Sequence, residues 1–329
     1  MQDLLTQLSK KKQRLDAISP LPAVQIKNLD EWYRVELTYT SNAIEGNTLT
    51  RRETSLVVDK GLTIAGKSFI EHLEAVNHAG AVDFIKELAS QTKTLNITNR
   101  TILDIHQHIL SKIDDTNAGR YRNVPVRVAG SMTVFPNHLR VAELMDEFVA
   151  ALHVKARAKT VHPAQLAAFA HFRLVSIHPF VDGNGRTARL LMNLILEQAG
   201  YPPAIIRKED RLKYINALEQ ARIKEDDDIF YEIVYEAVDR SLDIYLGEDK
   251  PGLSEQQLLK IGDVARLSRE TVVTIRHWTD EGLLDLAERT TTGYRLYLPS
   301  AVEQAKKIRQ LADQRFTLAE IKLKMEEAQ

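Results

Sequence analysis

The chain has no cysteine among its 329 residues. Disulfide bonds, thiolate metal sites and a cysteine nucleophile are therefore excluded. It also lacks any run of about 18 apolar residues, the least that reads as a membrane-spanning helix. The opening stretch, MQDLLTQLSKKKQRLDAI, lacks the basic-then-apolar order of a secretion signal and reads as an amphipathic helix. These absences make the cytoplasm the default expectation, with no membrane as partner. There is no long internal repeat and no low-complexity segment. Nor is there an excess of charge: 44 Lys and Arg against 45 Asp and Glu leave −1, so no whole-protein field draws the chain to nucleic acid.

An apolar fraction of 44% supports packed cores, and the length allows one large domain with a smaller one attached. Most segments carry apolar residues at helical spacing. A helix is expected from Asn28 to Glu45, stopping at Gly46, and the pair Thr50 and Glu53 forms a capping box that opens the next. Further helices are expected over about 68–90, 98–113, 138–154, 163–176, 184–199 and 208–245. One segment breaks this period. Asn123 to Phe135 is rich in valine around Ala129-Gly130-Ser131 and reads as a β-hairpin. The polar stretch from Gly247 to Gly252, with Pro251, is the best boundary, giving domains 1–250 and 251–329.

The densest chemistry lies in Ile177-His-Pro-Phe-Val-Asp-Gly-Asn-Gly-Arg-Thr-Ala-Arg189. An apolar helix ends at His178-Pro179, and Gly183, Asn184 and Gly185 open the next. Glycines at a helix N-terminus let backbone N–H groups approach an anion, and the helix end adds positive potential. Arg186 and Arg189, three apart, lie on nearly one face and can bracket one polyphosphate. Asp182 is placed to hold Mg²⁺, which takes few carboxylates plus phosphate oxygens and water. His178 is the group here that accepts a proton near neutral pH. His171, seven residues earlier on an apolar helix, reads as structural, and His106 and His108 form no metal-ligand pattern.

This run resembles the signature HPFx[D/E]GNGRxxR of the Fic family at every defined position. The resemblance extends over about residues 20–245. It implies a mainly α fold, a Fic-type helical domain with a β-hairpin flap, and transfer of AMP from ATP with Mg²⁺ to a Tyr, Thr or Ser hydroxyl of a protein. His178 would deprotonate the hydroxyl and Asp182 would hold the metal. Gly183, Asn184 and Gly185 would cradle the phosphates, with Arg186 and Arg189 in contact with them, and Phe180 would anchor the loop in the core. The hairpin resembles the family's flap, which aligns the target by main-chain pairing, with Val126, Val128 and Met132 along it. Ser41-Asn-Ala-Ile-Glu-Gly46 resembles the inhibitory motif [S/T]xxxE[G/N]. The resemblance implies that Glu45, on one helix face with Ser41, pairs with Arg189 and keeps the ATP γ-phosphate out of place within the N-terminal helix of about 28–46. Removal of AMP, or transfer of another nucleotide, is the alternative chemistry on the same fold.

From Lys260 onward the character changes. Ile261 to Ser268 and Arg269 to Glu281 read as two helices, Arg289 to Tyr297 as a small β-wing, and 299–313 and 317–328 as helices. This resembles the MerR-type winged helix-turn-helix. It implies DNA as a partner, with Arg269, Thr271 and Arg276 at the major groove and Arg289 and Arg295 near phosphates. Yet Gly252 to Gln329 holds twelve Lys and Arg against twelve Asp and Glu, unlike a strongly basic binder. The alternatives are a regulator in which the Fic core is secondary, or a module used for packing, homo-oligomer formation or target docking.

Overall fold

The computed structural model describes residues 2–92, 94–127, 133–158, 160–224, 226–248, 259–284, 286, 288–289, 295–297, 300–314, 316, 318 and 320–321. The chain divides into two compact units, Met1–Glu248 and Asp249–Gln329.

The first unit is helical: α1 (Gln2–Ile18), α2 (Ala23–Ile44), α3 (Arg51–Lys60), α4 (Phe69–Gln91), α5 (Asn99–Leu110), α6 (Val141–Arg157), α7 (Pro163–Ile177), α8 (Asn184–Gln198), α9 (Arg211–Lys224) and α10 (Asp228–Leu246). At its centre α7 packs along α8. Ala164, Ala167, Ala168 and Ala170 are fully buried, and such small side chains let two helices approach closely. Their partner α8 is buried nearly all round, from Leu190 through Leu196, so it is fixed by its neighbours and not by an amphipathic face. Each leucine so buried contributes about 1.5–3 kcal/mol. The polar groups at its N-terminus are thereby held on a rigid element.

Capping explains several boundaries. Thr50 and Glu53 close the expected capping box on α3, and Ser68 with Glu71 makes the same box on α4. The helix expected from Asn28 begins earlier, just after Pro22, whose fixed φ suits the residue preceding a helix. The single helix expected over 208–245 is two. It is interrupted in the acidic stretch after α9, where Asp226 Oδ1 accepts the N–H of Asp228 at 3.1 Å and competes with helical pairing. Of the hairpin expected over 123–135, residues 123–127 and 133–135 carry no strand. Its tip, 128–132, and with it Val128 and Met132, lies outside the described residues.

The second unit has its own core around Val264, Ile275, Trp278, Leu284, Tyr297 and Ile308. A three-stranded sheet runs β1 (Leu259–Lys260), β3 (Arg295–Tyr297), β2 (Glu288–Arg289), antiparallel throughout, with Leu259 opposite Tyr297 and Arg289 opposite Arg295. With it stand α11 (Ile261–Ser268), α12 (Val272–Asp280) and α13 (Ser300–Asp313). No helix among the described residues is long and apolar enough to cross a membrane.

Candidate active site

His178 stands at the junction of α7 and α8. It occupies the left-handed region at φ 53°, so α7 ends there and the chain turns into the loop. Arg222 Nη2 donates to the Val175 carbonyl at 3.0 Å, and that carbonyl also faces His178 Nδ1 at 3.4 Å. This contact favours the proton on Nδ1 and leaves Nε2 with its lone pair. Burial pushes the His178 imidazole down to about 4, against the Val175 carbonyl, which raises it. The ring is neutral at pH 7, the state in which it can accept a proton. Phe135 stacks on it with centroids 4.0 Å apart, and Arg222 lies over the other ring.

Arg122, 3% exposed, joins the turn to the flanks of the valine-rich segment. Its Nε donates to the His178 carbonyl at 2.8 Å, Nη1 to Val124 at 3.1 Å and Nη2 to Pro136 at 2.6 Å. Its backbone N–H donates to the Pro179 carbonyl at 2.8 Å. His106 supports the loop from beneath, stacked on Phe180 at 3.7 Å and 7°. The Gly119 N–H donates to His106 Nδ1, so Nε2 carries the proton and donates to the Asp182 carbonyl at 3.0 Å. Burial holds this ring near 4 as well. Phe180 is fully buried, as an anchor. Gly183 caps α8 at φ 75°, and a Cβ there would meet the His106 ring at 3.3 Å, so glycine is required twice over.

Asn184 turns its side chain inward. Its amide accepts from the Phe180 N–H and donates to the Phe180 carbonyl, both at 2.9 Å. It thereby ties the first turn of α8 to the loop before it.

Both arginines are held by carboxylates. Arg186, 2% exposed, donates to Glu74 on α4 and to Asp182, each at 2.9 Å, and its Nε is buried without a hydrogen-bond partner among the described residues. Glu74 also accepts from Asn47 Nδ2 at 2.9 Å, which ties the end of α2 to the same network. Arg189, 5% exposed, donates through Nε to Ser41 Oγ at 2.9 Å, through Nη2 to Glu45 Oε1 at 2.5 Å and the Ser41 carbonyl at 3.1 Å, and through Nη1 to Tyr214 at 3.3 Å. Burial works to lower the Arg189 pKa; Glu45 more than offsets it, and the net shift is upward. The end of α2 is fixed by Arg211, whose Nε donates to the Ile44 carbonyl at 2.7 Å. A Cβ on Gly185 would collide with the Glu45 carboxylate and meet Arg189 Nη1 at 3.1 Å, so that carboxylate lies against the α8 N-terminus. His171 is buried behind them and bonded to the Tyr214 hydroxyl at 3.0 Å, a structural role.

In the second unit Arg269 and Arg276 are exposed, whereas Thr271 spends its hydroxyl capping α12, accepting from the Thr274 N–H at 3.0 Å. Arg295 is held by Asp280 at 2.6 Å and by the Arg276 carbonyl at 3.2 Å. Arg289 lies on β2, and its side chain lies outside what is described.

The helical domain thus brings together a neutral imidazole on a strained turn, a glycine-opened helix N-terminus and two buried arginines. Residues 96–196 match the Fic/DOC family, and residues 259–328 match the MerR HTH family regulatory protein. The Fic-1 structure (aa134–508) from C. elegans is 30% identical, covers 77% of this chain and 73% of its own, and superposes with a TM-score of 0.67. A Fic domain containing signaling protein from Bacteroides thetaiotaomicron VPI-5482 is 29% identical over 77% of this chain and all of its own, with a TM-score of 0.69. A relative from Drosophila grimshawi, named Protein adenylyltransferase Fic, is 38% identical over 74% of this chain. The chain spans 49% of that relative's length. This chain belongs to the Fic family.

Proposed function

We propose that the chain transfers AMP from MgATP to a Tyr, Thr or Ser hydroxyl of a protein, itself included, and that Glu45 restrains the reaction. The observation that carries this reading is the Glu45–Arg189 pair at 2.5 Å, set against the α8 N-terminus beside a neutral His178. His178 Nε2 takes the hydroxyl proton as the oxygen attacks the α-phosphorus. The bond from that phosphorus to the bridging oxygen breaks, and pyrophosphate leaves. The α8 N-terminus holds phosphate oxygens; Arg186 joins it as Asp182 turns from the guanidinium to the metal, and Arg189 joins once Glu45 withdraws, because one guanidinium fork serves a carboxylate or a phosphate but not both.

Asp182 fits a Mg²⁺ ligand. Its side chain is 68% exposed with one oxygen on Arg186, and it stands without a group of three His, Asp or Glu, since none gathers among the described residues. A single carboxylate with phosphate oxygens and water is the usual magnesium set. When bound, the ion neutralises phosphate charge.

The test is to incubate wild-type, Glu45→Gly and Glu45→Gly/His178→Ala proteins with labelled ATP, GTP, CTP and UTP, and to locate label by mass spectrometry. Labelling by ATP is expected to be low in wild type, to rise at least tenfold in Glu45→Gly, and to fall about 10²–10⁴-fold again without the imidazole. Label retained in the double variant removes His178 from the role of base.

DNA binding by the second unit is the second reading, favoured by the exposed Arg269 and Arg276 at the start and along α12. On this reading Arg276→Ala in the full chain relaxes sequence preference for its own upstream DNA. Arg295, already held by Asp280, contributes less than its position in the wing implies.

A further inference from the structure

A cavity of about 450 Å³ lies in the first unit, lined by α1, α2, α4, α10 and the loop that follows α8. None of its lining residues takes part in the site above. Its character is aromatic and acidic together. Tyr33, Tyr201 and Tyr245 contribute walls, and the Tyr33 and Tyr245 rings stand 5.5 Å apart at 47°. Five carboxylates line it against two cations, and both cations are already engaged: Lys86 with Asp30 at 2.5 Å, Arg34 with Asp83 at 2.9 Å.

The fifth carboxylate is different. Glu197, at the end of α8, has no described side chain in hydrogen-bond or ion-pair contact with its carboxyl. Burial pushes it up to about 7, with Lys86 opposing and Asp30 adding to the rise. A half-buried carboxylate that lines a cavity without a partner is a favourable seat for a cation. Phosphates and carboxylates are disfavoured here by the acidic surplus. An apolar body with one positive charge satisfies both the rings, whose faces attract cations, and the carboxylate. The protein already uses this wall so, with Lys12 Nζ standing 5.6 Å from the Tyr201 ring centroid.

We propose that this cavity binds a small organic cation, an amine or quaternary ammonium with an apolar body, its charge held by Glu197 and by the faces of Tyr33 and Tyr245. The site shares α2 with Glu45: Tyr33, Arg34 and Leu37 of that helix line it. The binding itself is independent of any transferase reading.

The test uses the full-length chain. Choline is titrated by calorimetry and by ligand-observed NMR, in parallel with its neutral analogue in which carbon replaces the quaternary nitrogen. Choline is expected to bind about tenfold or more tightly than the analogue, the range that ring and carboxylate attraction give a desolvated cation. Glu197→Gln is expected to remove most of that preference, and Tyr245→Leu to weaken choline severalfold where Tyr245→Phe does not. Equal binding of the two probes to wild-type protein, or no binding of choline at all, overturns the proposal. So does Glu197→Gln binding choline as wild type does. If Glu197→Gln fails to fold, the comparison of the two probes on wild-type protein decides alone.

Discussion

Asn184 is the residue at which the folded chain says most beyond the sequence. Its place in the signature pattern implies a share in the phosphate cradle, yet its amide is spent on both backbone groups of Phe180. The two roles separate by experiment. Asn184→Asp keeps an acceptor for the Phe180 N–H but sets a carboxylate oxygen against the Phe180 carbonyl. That substitution is expected to lower unfolding free energy by about 1–3 kcal/mol, the cost of a buried polar group left unsatisfied. Denaturant titration measures it, with nucleotide affinity determined alongside. Unchanged stability with lost ATP affinity would assign the side chain to phosphate instead. His178 stood out in the sequence as a candidate base, but its depressed pKa did not: that follows from burial, with Arg222 and Arg122 adding to it, partners that lie far away in sequence and carry no local signal. His106 illustrates the same limit. It reads as a lone histidine on a helix, and only the fold brings it beneath Phe180 and Asp182, 76 residues on.

At the scale of elements, the helical period of α7 and α8 and the capping box of α3 were readable because both depend on neighbours in sequence. The partners of the arginines were readable only in part. Ser41 and Glu45 stood out as a motif, but Glu74 on α4, Tyr214 on α9 and Arg211, which caps α2, are tertiary choices among many similar side chains. The break between α9 and α10 was missed although five charged residues, Lys224 to Asp228, separate Ile223 from Ile229; the Asp226–Asp228 contact at the start of α10 is local and polar. A prediction belongs to α2 as a unit. Ser41→Ala removes one charge-assisted bond from Arg189 and is expected to raise auto-modification roughly tenfold, since such bonds contribute about 1.5–3 kcal/mol. Glu45→Gly raises it further. Glu45→Gly/Arg189→Ala is expected to be as inactive as Arg189→Ala, a non-additive result measured by labelled-ATP incorporation. Additive effects would mean that the two residues act apart.

For the whole molecule, buried histidines set the response to acid. Burial holds His78 near 3, His106 and His178 near 4, and His171 well below its ordinary value. The ordinary value in an unfolded chain is about 6.5. Each folded pKa lies below the unfolded one, so the unfolded chain binds more protons as pH falls, and stability present above pH 6.5 is lost on the way down towards 4. Glu197 works oppositely: raised to about 7, it holds a proton at pH 5 that the unfolded chain releases. Unfolding at pH 5 is therefore expected to take up about three protons, each lowering stability by about 1.4 kcal/mol per pH unit. Denaturation midpoints between pH 5 and 7 measure the slope, and a flat profile would show that these rings are not buried and neutral. The Arg122 clamp bears on how such a chain can diverge. Among the described residues the side-chain acceptors of Arg122 are main-chain carbonyls, at Val124, Pro136 and His178. Main-chain acceptors are indifferent to side-chain identity, so the clamp holds whatever residues stand between 124 and 136. That segment can drift, be exchanged or be grafted from a relative and the clamp still holds the turn, while the stacking of residue 135 on the His178 ring is kept only where that residue stays aromatic.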